Sequence, residues 1–227
     1  MLRTTFLTAG LLFATIAQAE TVAVIGTGNV GMALGTEFAG LGHTVVYGSR
    51  TPGAEKTQEL VRKTQNASAA LPAEAAAQAD VLILAVPGLA TEMVARSLGD
   101  LSGKIIIDAT NPLVFTGNPP NVTYGTDRSL GEIVQAAHPD AFVVKAFNTI
   151  EWQFMMDPPV PAPVIPLAGE HAEAKALVAK WVHAMGIDTV DVGGIYHARV
   201  TEYMVVMMLN NEFTGEEKFD LVFRKDD

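Results

Sequence analysis

Residues 21–31 read Thr21-Val22-Ala23-Val24-Ile25-Gly26-Thr27-Gly28-Asn29-Val30-Gly31, an apolar run ending at Ile25 followed by glycines at 26, 28 and 31. The run predicts a buried strand, and the glycines predict a tight turn into a helix. Gly26 permits the sharp turn. Gly28 lets the backbone approach a pyrophosphate with no Cβ in the way, and Gly31 lets the helix pack close to the strand. The free N–H groups at the helix start would face the phosphates with a partial positive charge. A bare G-x-G-x-x-G carries little weight. Here a strand precedes it and an apolar helix over 32–41 follows it, which is the context a dinucleotide fingerprint requires. A second strand at 44–47, entered through Gly42 and His43, arrives where a βαβ unit needs one.

The end of that second strand selects between nicotinamide cofactors. An acidic residue about 20 positions past the fingerprint would bond a ribose 2′-hydroxyl, whereas this chain has Ser49 and Arg50. A hydroxyl and a guanidinium suit a 2′-phosphate, because arginine donates two parallel charge-assisted hydrogen bonds to it. The expectation is therefore NADP(H) rather than NAD(H). Lys56 could add a point charge, although Thr51-Pro52-Gly53 leaves its direction open.

Alternation continues along the chain. A helix is expected over 73–78, a strand over 80–86, a helix over 90–98 closed by Gly99, and a strand over 104–108. Their near-continuous apolar runs fit a parallel sheet covered on both faces. After a polar loop at 117–128, Ser129 is placed to cap a helix, with Glu132 at the capping-box spacing. A strand at 141–144 runs into the polar cluster Lys145 to Thr149. The strand ends at Pro87, Asn111-Pro112 and this cluster should line the ligand crevice. Five prolines in 157–166 exclude a helix interior there and read as a connection. Beyond it come a strand at 164–167, a helix over 170–185, a strand over 187–192 and a final helix over 196–210 carrying Met204, Met207 and Met208, read as core filler, with a charged, frayed tail at 212–227. The fold class is α/β: a Rossmann-type, doubly wound, mainly parallel sheet over 20–156, with a small C-terminal α/β extension over 157–227 packed on the same sheet.

Residues 1–19 differ in kind. Arg3 precedes an apolar run from Phe6 to Ile16, then Ala17-Gln18-Ala19. The run is too short to span a bilayer, and its small residues suit a signal peptidase cut after Ala19. That cut gives a periplasmic or secreted protein; without it the chain would be cytoplasmic or membrane-tethered. Loss of Arg3, the only charge in 1–19, takes the net charge from −10 to −11. Such an acidic chain is a poor partner for nucleic acid or anionic membrane surfaces. With 0 cysteines, disulfides and thiolate metal sites are excluded. The five histidines show no metal-ligand spacing. An apolar content of 49% is ample for an α/β core.

Six short motifs in order carry a family resemblance: Gly-Thr-Gly-Asn at 26–29, Gly-Ser-Arg at 48–50, Ala-Val-Pro at 85–87, Asp-Ala-Thr-Asn-Pro at 108–112, Val-Lys-Ala-Phe-Asn-Thr at 144–149, and Asp-Val-Gly-Gly with a following Ala-Arg across 191–199. Together they resemble the NADPH-dependent deazaflavin (coenzyme F-420) reductases. They are similar also to the cytosolic oxidoreductase domain of the six-transmembrane metalloreductases, which passes electrons from NADPH to a flavin. The resemblance implies that Thr27, Gly28, Asn29 and Val30 meet the pyrophosphate, that Ser49 and Arg50 meet the 2′-phosphate, and that Val86, Pro87 and Ala146 lie beside the nicotinamide. It also implies coenzyme F-420 or a flavin as co-substrate. Gly88 departs from the aromatic residue that some deazaflavin reductases carry there, which removes a possible stacking surface.

Hydride transfer between two flat rings needs close, oriented stacking rather than an acid/base pair, because the cofactors carry the chemistry. No catalytic side chain is therefore expected. Among the remaining polar residues, His197 and Arg199 are the best placed to touch an acceptor. Two readings stand: an NADP(H)-dependent oxidoreductase acting on a small redox acceptor, and a non-catalytic NADP-binding or partner-binding module that keeps the fold. A homodimer built on the final helix is compatible with either. Address and chemistry conflict, since an extracytoplasmic space holds little free NADPH and the leader lacks the twin arginines that export a cofactor-loaded protein. Either the cofactor is retained tightly, or the leader stays attached, or the nucleotide site is a vestigial scaffold.

Overall fold

The computed structural model describes residues 19–117, 120–122, 124–214, 221 and 223. All but the last residue of the leader expected over 1–19 lies outside them, as does most of the tail expected to fray.

β1 (Thr21–Ile25) leads through the glycine turn into α1 (Asn29–Gly40), and β2 (Thr44–Gly48) follows. The helix begins at the fingerprint itself, three residues before the apolar stretch that announced it. Next come α2 (Glu55–Lys63), β3 (Ala67–Ala70), α3 (Pro72–Gln78), β4 (Val81–Leu84), α4 (Gly88–Arg96) and β5 (Ile105–Asp108). Neither α2 nor β3 was expected. The helix is so polar that Thr57 is its only buried residue, and the strand hides inside an alanine-rich stretch. The loop expected at 117–128 contains β7 (Asn121–Val122), which pairs antiparallel with β6 (Leu113–Val114).

The second half comprises α5 (Leu130–Ala137), β8 (Phe142–Lys145), the short α6 (Trp152–Met156), β9 (Val164–Ala168), α7 (Ala172–Ala184), β10 (Asp188–Gly193), a 3-10 turn at Ile195–His197, and α8 (Ala198–Thr214). Ser129 caps α5 as expected, its Oγ accepting from Glu132 N at 3.1 Å and donating to Glu132 Oε2 at 2.8 Å.

One eight-stranded sheet carries these elements in the order β10-β9-β8-β5-β4-β1-β2-β3. From β3 to β8 every pairing is parallel and the order is that of the doubly wound dinucleotide fold. β9 joins β8 antiparallel through Lys145 and Ala168, and β10 extends the sheet parallel to β9. The core divides by strand periodicity. Val22, Val24, Val81 and Ile83 face a cluster with Leu34 and Phe38 of α1 and Val178 and Trp181 of α7. Ala23, Ile25, Leu82 and Leu84 face the opposite cluster, with Ala75, Ala95 and Val134 of α3, α4 and α5. Two covered faces explain why these strands read as unbroken apolar runs.

Candidate functional site

The parallel register sets one row of residues across the sheet: Gly48 opposite Ile25, Ile25 opposite Leu84, Leu84 opposite Asp108, and Asp108 opposite Lys145. Each is the last residue of its strand or next to it. The chain therefore emerges along one edge at 49–50, 26–30, 85–88, 109–112 and 146–149, in that spatial order. The residues assigned to the cofactor from the sequence, Thr27 to Val30, Ser49, Arg50, Val86, Pro87 and Ala146, all lie along this edge. Arg50 and Ala146 are four strand spacings apart, about 19 Å, so only an extended ligand can engage both ends.

At the centre, Gly26 has φ +115°, and a Cβ there would collide with Ala85 O; one on Gly31 would collide with Gly26 O. The fold itself forbids side chains at these two positions. Gly28 is different, because a Cβ there would meet no protein atom within 4 Å. The turn has no packing reason to leave it bare, and close approach by a ligand supplies one. Gly28 is the N-cap of α1, with no side-chain cap and no acidic residue in the first turn. Its leading N–H groups, on Asn29, Val30 and Gly31, lack intrahelical partners by helix geometry and stay open to an anion. Such an N-terminus could hold an anion such as a pyrophosphate.

Beside it, Ser49 is buried, its Oγ accepting from Thr51 N at 3.2 Å and lying 3.3 Å from Thr57 Oγ1. Gln58 Nε2 donates to Pro52 O at 2.8 Å and closes the same loop onto α2. The Ser49 hydroxyl thus shapes the loop, while Arg50 is exposed and forms no hydrogen bond or ion pair with any described residue. Lys56 is exposed on the first turn of α2.

At the other end Pro87 is exposed, Val86 half-buried and Ala146 fully buried among core residues. A Cβ on Gly88 would collide with Asn111 O, so the missing aromatic reflects tight contact between α4 and the loop after β5. Phe147 has φ +63°, a conformation that costs a non-glycine residue of order 1–3 kcal/mol. The turn it makes is locked by Asn148 Nδ2 donating to Asn111 Oδ1 at 3.1 Å and Asn111 Nδ2 donating to Asn148 O at 2.9 Å. Asn148 Oδ1 and Thr149 Oγ1 are buried without a hydrogen-bond partner.

Lys145 does not reach the crevice, contrary to the expectation for its cluster. Its ammonium points inward to Asp108 Oδ2 at 3.0 Å, Glu202 Oε1 at 2.7 Å and the Thr110 carbonyl, and all three charged side chains are at most 1% exposed. Asp108 Oδ1 accepts from Thr110 N and Oγ1 at 2.9 and 2.6 Å. Glu202, from α8, accepts from Leu130 N at 3.1 Å and Gly131 N at 3.2 Å, at the start of α5. Burial works against the ammonium, but Asp108 and Glu202 outweigh it and hold the Lys145 pKa above its ordinary value. Burial, reinforced by Asp108, pushes the Glu202 carboxyl up, and Lys145 pulls against them. This set ties α8 and α5 to the strand ends that carry 109–111 and 146–149. Sequence reasoning missed it, and its one local signal is a glutamate standing among the apolar residues of the last helix.

Arg199 is likewise committed, donating to both carboxylate oxygens of Glu132 at 2.8 and 2.6 Å. His197 packs against Tyr196 with ring centroids 3.9 Å apart and the planes tilted by 36°. The methionines of α8 are not core residues: Met207 is 48% exposed, and Met204 and Met208 are half-buried. Among the described residues no helix is long and apolar enough to cross a membrane.

The family model described as NADP oxidoreductase, coenzyme F420-dependent, matches residues 21–112. The F420-dependent NADP reductase of Methanothermobacter marburgensis is 31% identical over 204 residues, covering 83% of this chain and 91% of that one. Metalloreductase STEAP3 of Rattus norvegicus is 28% identical over 193 residues, which cover 85% of this chain; the chain spans only 38% of that relative's length. The crystal structure of a putative F420-dependent NADP reductase from Arthrobacter superposes with a TM-score of 0.80 at 31% identity, covering 85% of this chain and 93% of the other. With a shared fold and such identity along nearly the whole of a relative, the chain belongs to the F420-dependent family of NADP oxidoreductases.

Proposed function

We propose that the protein transfers a hydride between NADPH and a flat heteroaromatic acceptor of the deazaflavin or flavin type. The observation that carries this reading is the single row of strand ends. At one end it presents the unpaired Arg50, in the middle the open N-terminus of α1, and at the other Pro87 and the locked turn at 146–149. NADPH, when bound, supplies the hydride. The chain's own residues bind and orient: Arg50 takes the 2′-phosphate with Ser49 holding its loop, and Thr27, Gly28, Asn29 and Val30 take the pyrophosphate. Val86, Pro87 and the backbone at Ala146 form the floor under the ring. Exposed apolar side chains on adjoining elements, Leu89 and Met93 of α4 and Phe115 after β6, support an acceptor with a broad apolar face. Within this reading residues 20–156 hold the cofactor, 157–227 brace its ring end, and a second copy covers the exposed side of α8. The apolar leader directs export.

Calorimetric titration of NADPH and NADH into the protein and its Arg50→Ala variant tests the cofactor assignment. NADPH should bind more tightly than NADH, and the variant should lose about tenfold or more for NADPH alone, about 1.4 kcal/mol. Coenzyme F-420, FMN, FAD and a ferric chelate, offered with NADPH, then identify the acceptor. Failure to bind either nucleotide overturns the oxidoreductase reading and leaves the non-catalytic module.

A further inference from the structure

Glu20 enters the fold at a corner with an excess of negative charge. Its backbone N–H donates to His43 Nδ1 at 3.0 Å, and its carbonyl accepts from Thr44 N at 3.0 Å. Thr21 N donates to Asp80 Oδ2 at 2.9 Å, and Asp80 N returns a bond to Thr21 O at 2.9 Å. Adjacent backbone nitrogens are within one residue's length, so the Asp80 carboxylate lies no more than about 6.5 Å from Glu20 N. Burial, together with Asp80, pushes the Glu20 carboxyl above its ordinary value. Neither carboxylate has a salt-bridge partner among the described residues. Lys104, a nearby cation, is spent on the carbonyls of Ala76 and Ala77.

His43 completes the corner. It is 4% exposed, packed against Phe38 and Trp181 with ring centroids 5.6 and 5.7 Å away, and its Nδ1 is aimed at Glu20 N. Burial lowers its pKa, so the ring stays neutral and Nδ1 stays an acceptor. A neutral acceptor flanked by two uncompensated carboxylates is the environment an ammonium requires, and a backbone amide uses only part of it.

We infer that hydrolysis of the Ala19–Glu20 bond creates the missing cation: the α-ammonium of Glu20 docks on His43 Nδ1 and neutralises the Glu20 and Asp80 carboxylates. In the reaction, catalysed by a leader peptidase, water adds to the Ala19 carbonyl, the C–N bond breaks, Ala19 leaves as a carboxylate and the Glu20 nitrogen takes up protons. The inference rests on the leader reading and is independent of the cofactor. Processing thereby stabilises the corner, with β1, β2 and the residue before β4 drawn onto one charge.

The test is export of the full chain through a bacterial inner membrane, with intact mass and N-terminal sequencing of the periplasmic product. Thermal melts follow, for the processed protein and its Asp80→Asn variant, at pH 7 and pH 10. Asparagine keeps the acceptor for Thr21 N and removes only the charge. The product should begin at Glu20. At pH 7 the substitution should lower Tm by about 1–4 °C, the range for an exposed ion pair in a chain of this size. A free α-amine titrates near pH 8, so at pH 10 the loss should vanish or change sign, because Asp80 then faces only the Glu20 carboxylate. A terminus elsewhere, or a pH 7 melt that Asp80→Asn leaves unchanged or raises, overturns the proposal.

Discussion

Glu202→Gln is expected to cost more stability than any surface change of the same size. The substitution keeps the shape of the side chain and removes one charge from a set of three that are at most 1% exposed. Lys145 would retain Asp108 as its only carboxylate, and one of the two N–H groups at the start of α5 would face an amide donor in place of an acceptor. Lys145 and Asp108 stay paired, so the loss is the charge-assisted bond to Lys145 and the mismatched N–H, about 1.5–3 kcal/mol. For a domain of this size that is a fall in Tm of about 3–12 °C, and a tenth or more of a typical total stability. Urea and thermal unfolding, followed by the fluorescence of Trp152 and Trp181 with circular dichroism in parallel, provide the measurement. Adding Lys145→Met removes the ammonium that the lost bond served, and Thr110 still satisfies Asp108 Oδ1. The double variant should therefore lose less than the sum of the two single losses. A loss below about 1 kcal/mol for Glu202→Gln, or strict additivity, would refute the argument that this charge is held by desolvation and pairing.

The glycines of the turn should separate cleanly. Gly28→Ala should leave the melt within about 0.5 kcal/mol of the parent while weakening NADPH binding at least tenfold, whereas Gly26→Ala, at φ +115° against Ala85 O, should destabilise by more than about 1 kcal/mol. Gly88→Phe should not create a stacking surface. Its Cβ meets Asn111 O, so the expected outcome is a lower Tm and weaker nucleotide binding, read in the same titration. Burial raises the Glu132 carboxyl, but Arg199 and Ser129 outweigh it and hold its pKa below the ordinary 4.5. Its contribution is therefore present above pH 4.5 and lost as pH falls through the lowered value. Glu132→Gln should cost up to about 1 kcal/mol at pH 7, and urea midpoints of the two proteins should draw together as pH falls below 4.5; a gap that widens in acid contradicts the pairing.

Much of this architecture is written in local patterns. β1, β2, β4, β5 and β8 announce themselves because both faces of each strand are buried, which leaves unbroken apolar runs. Ser129 announces α5 because a cap is a contact three residues long. The elements that escaped lack such contrast: α2 buries a single threonine, and β3 lies in an alanine stretch where strand and helix look alike. Arg50 and the glycines could be placed because the fingerprint is contiguous. Lys145 could not, since its position in a polar cluster at a strand end says nothing about which way its ammonium turns.

By itself, then, the sequence determined the central strands β1, β2, β4, β5 and β8, the glycine turn and the residue types at the end of β2, all of which depend on neighbours within a few positions. Only the tertiary structure decided that Lys145 and Arg199 are committed to Asp108, Glu202 and Glu132, that Gly88 is closed to any side chain, and that Glu20 meets His43 and Asp80. Each of these is a contact between segments far apart in the chain. Its sign depends on burial and on which partner arrives, and neither is encoded in the spacing of residues along one element.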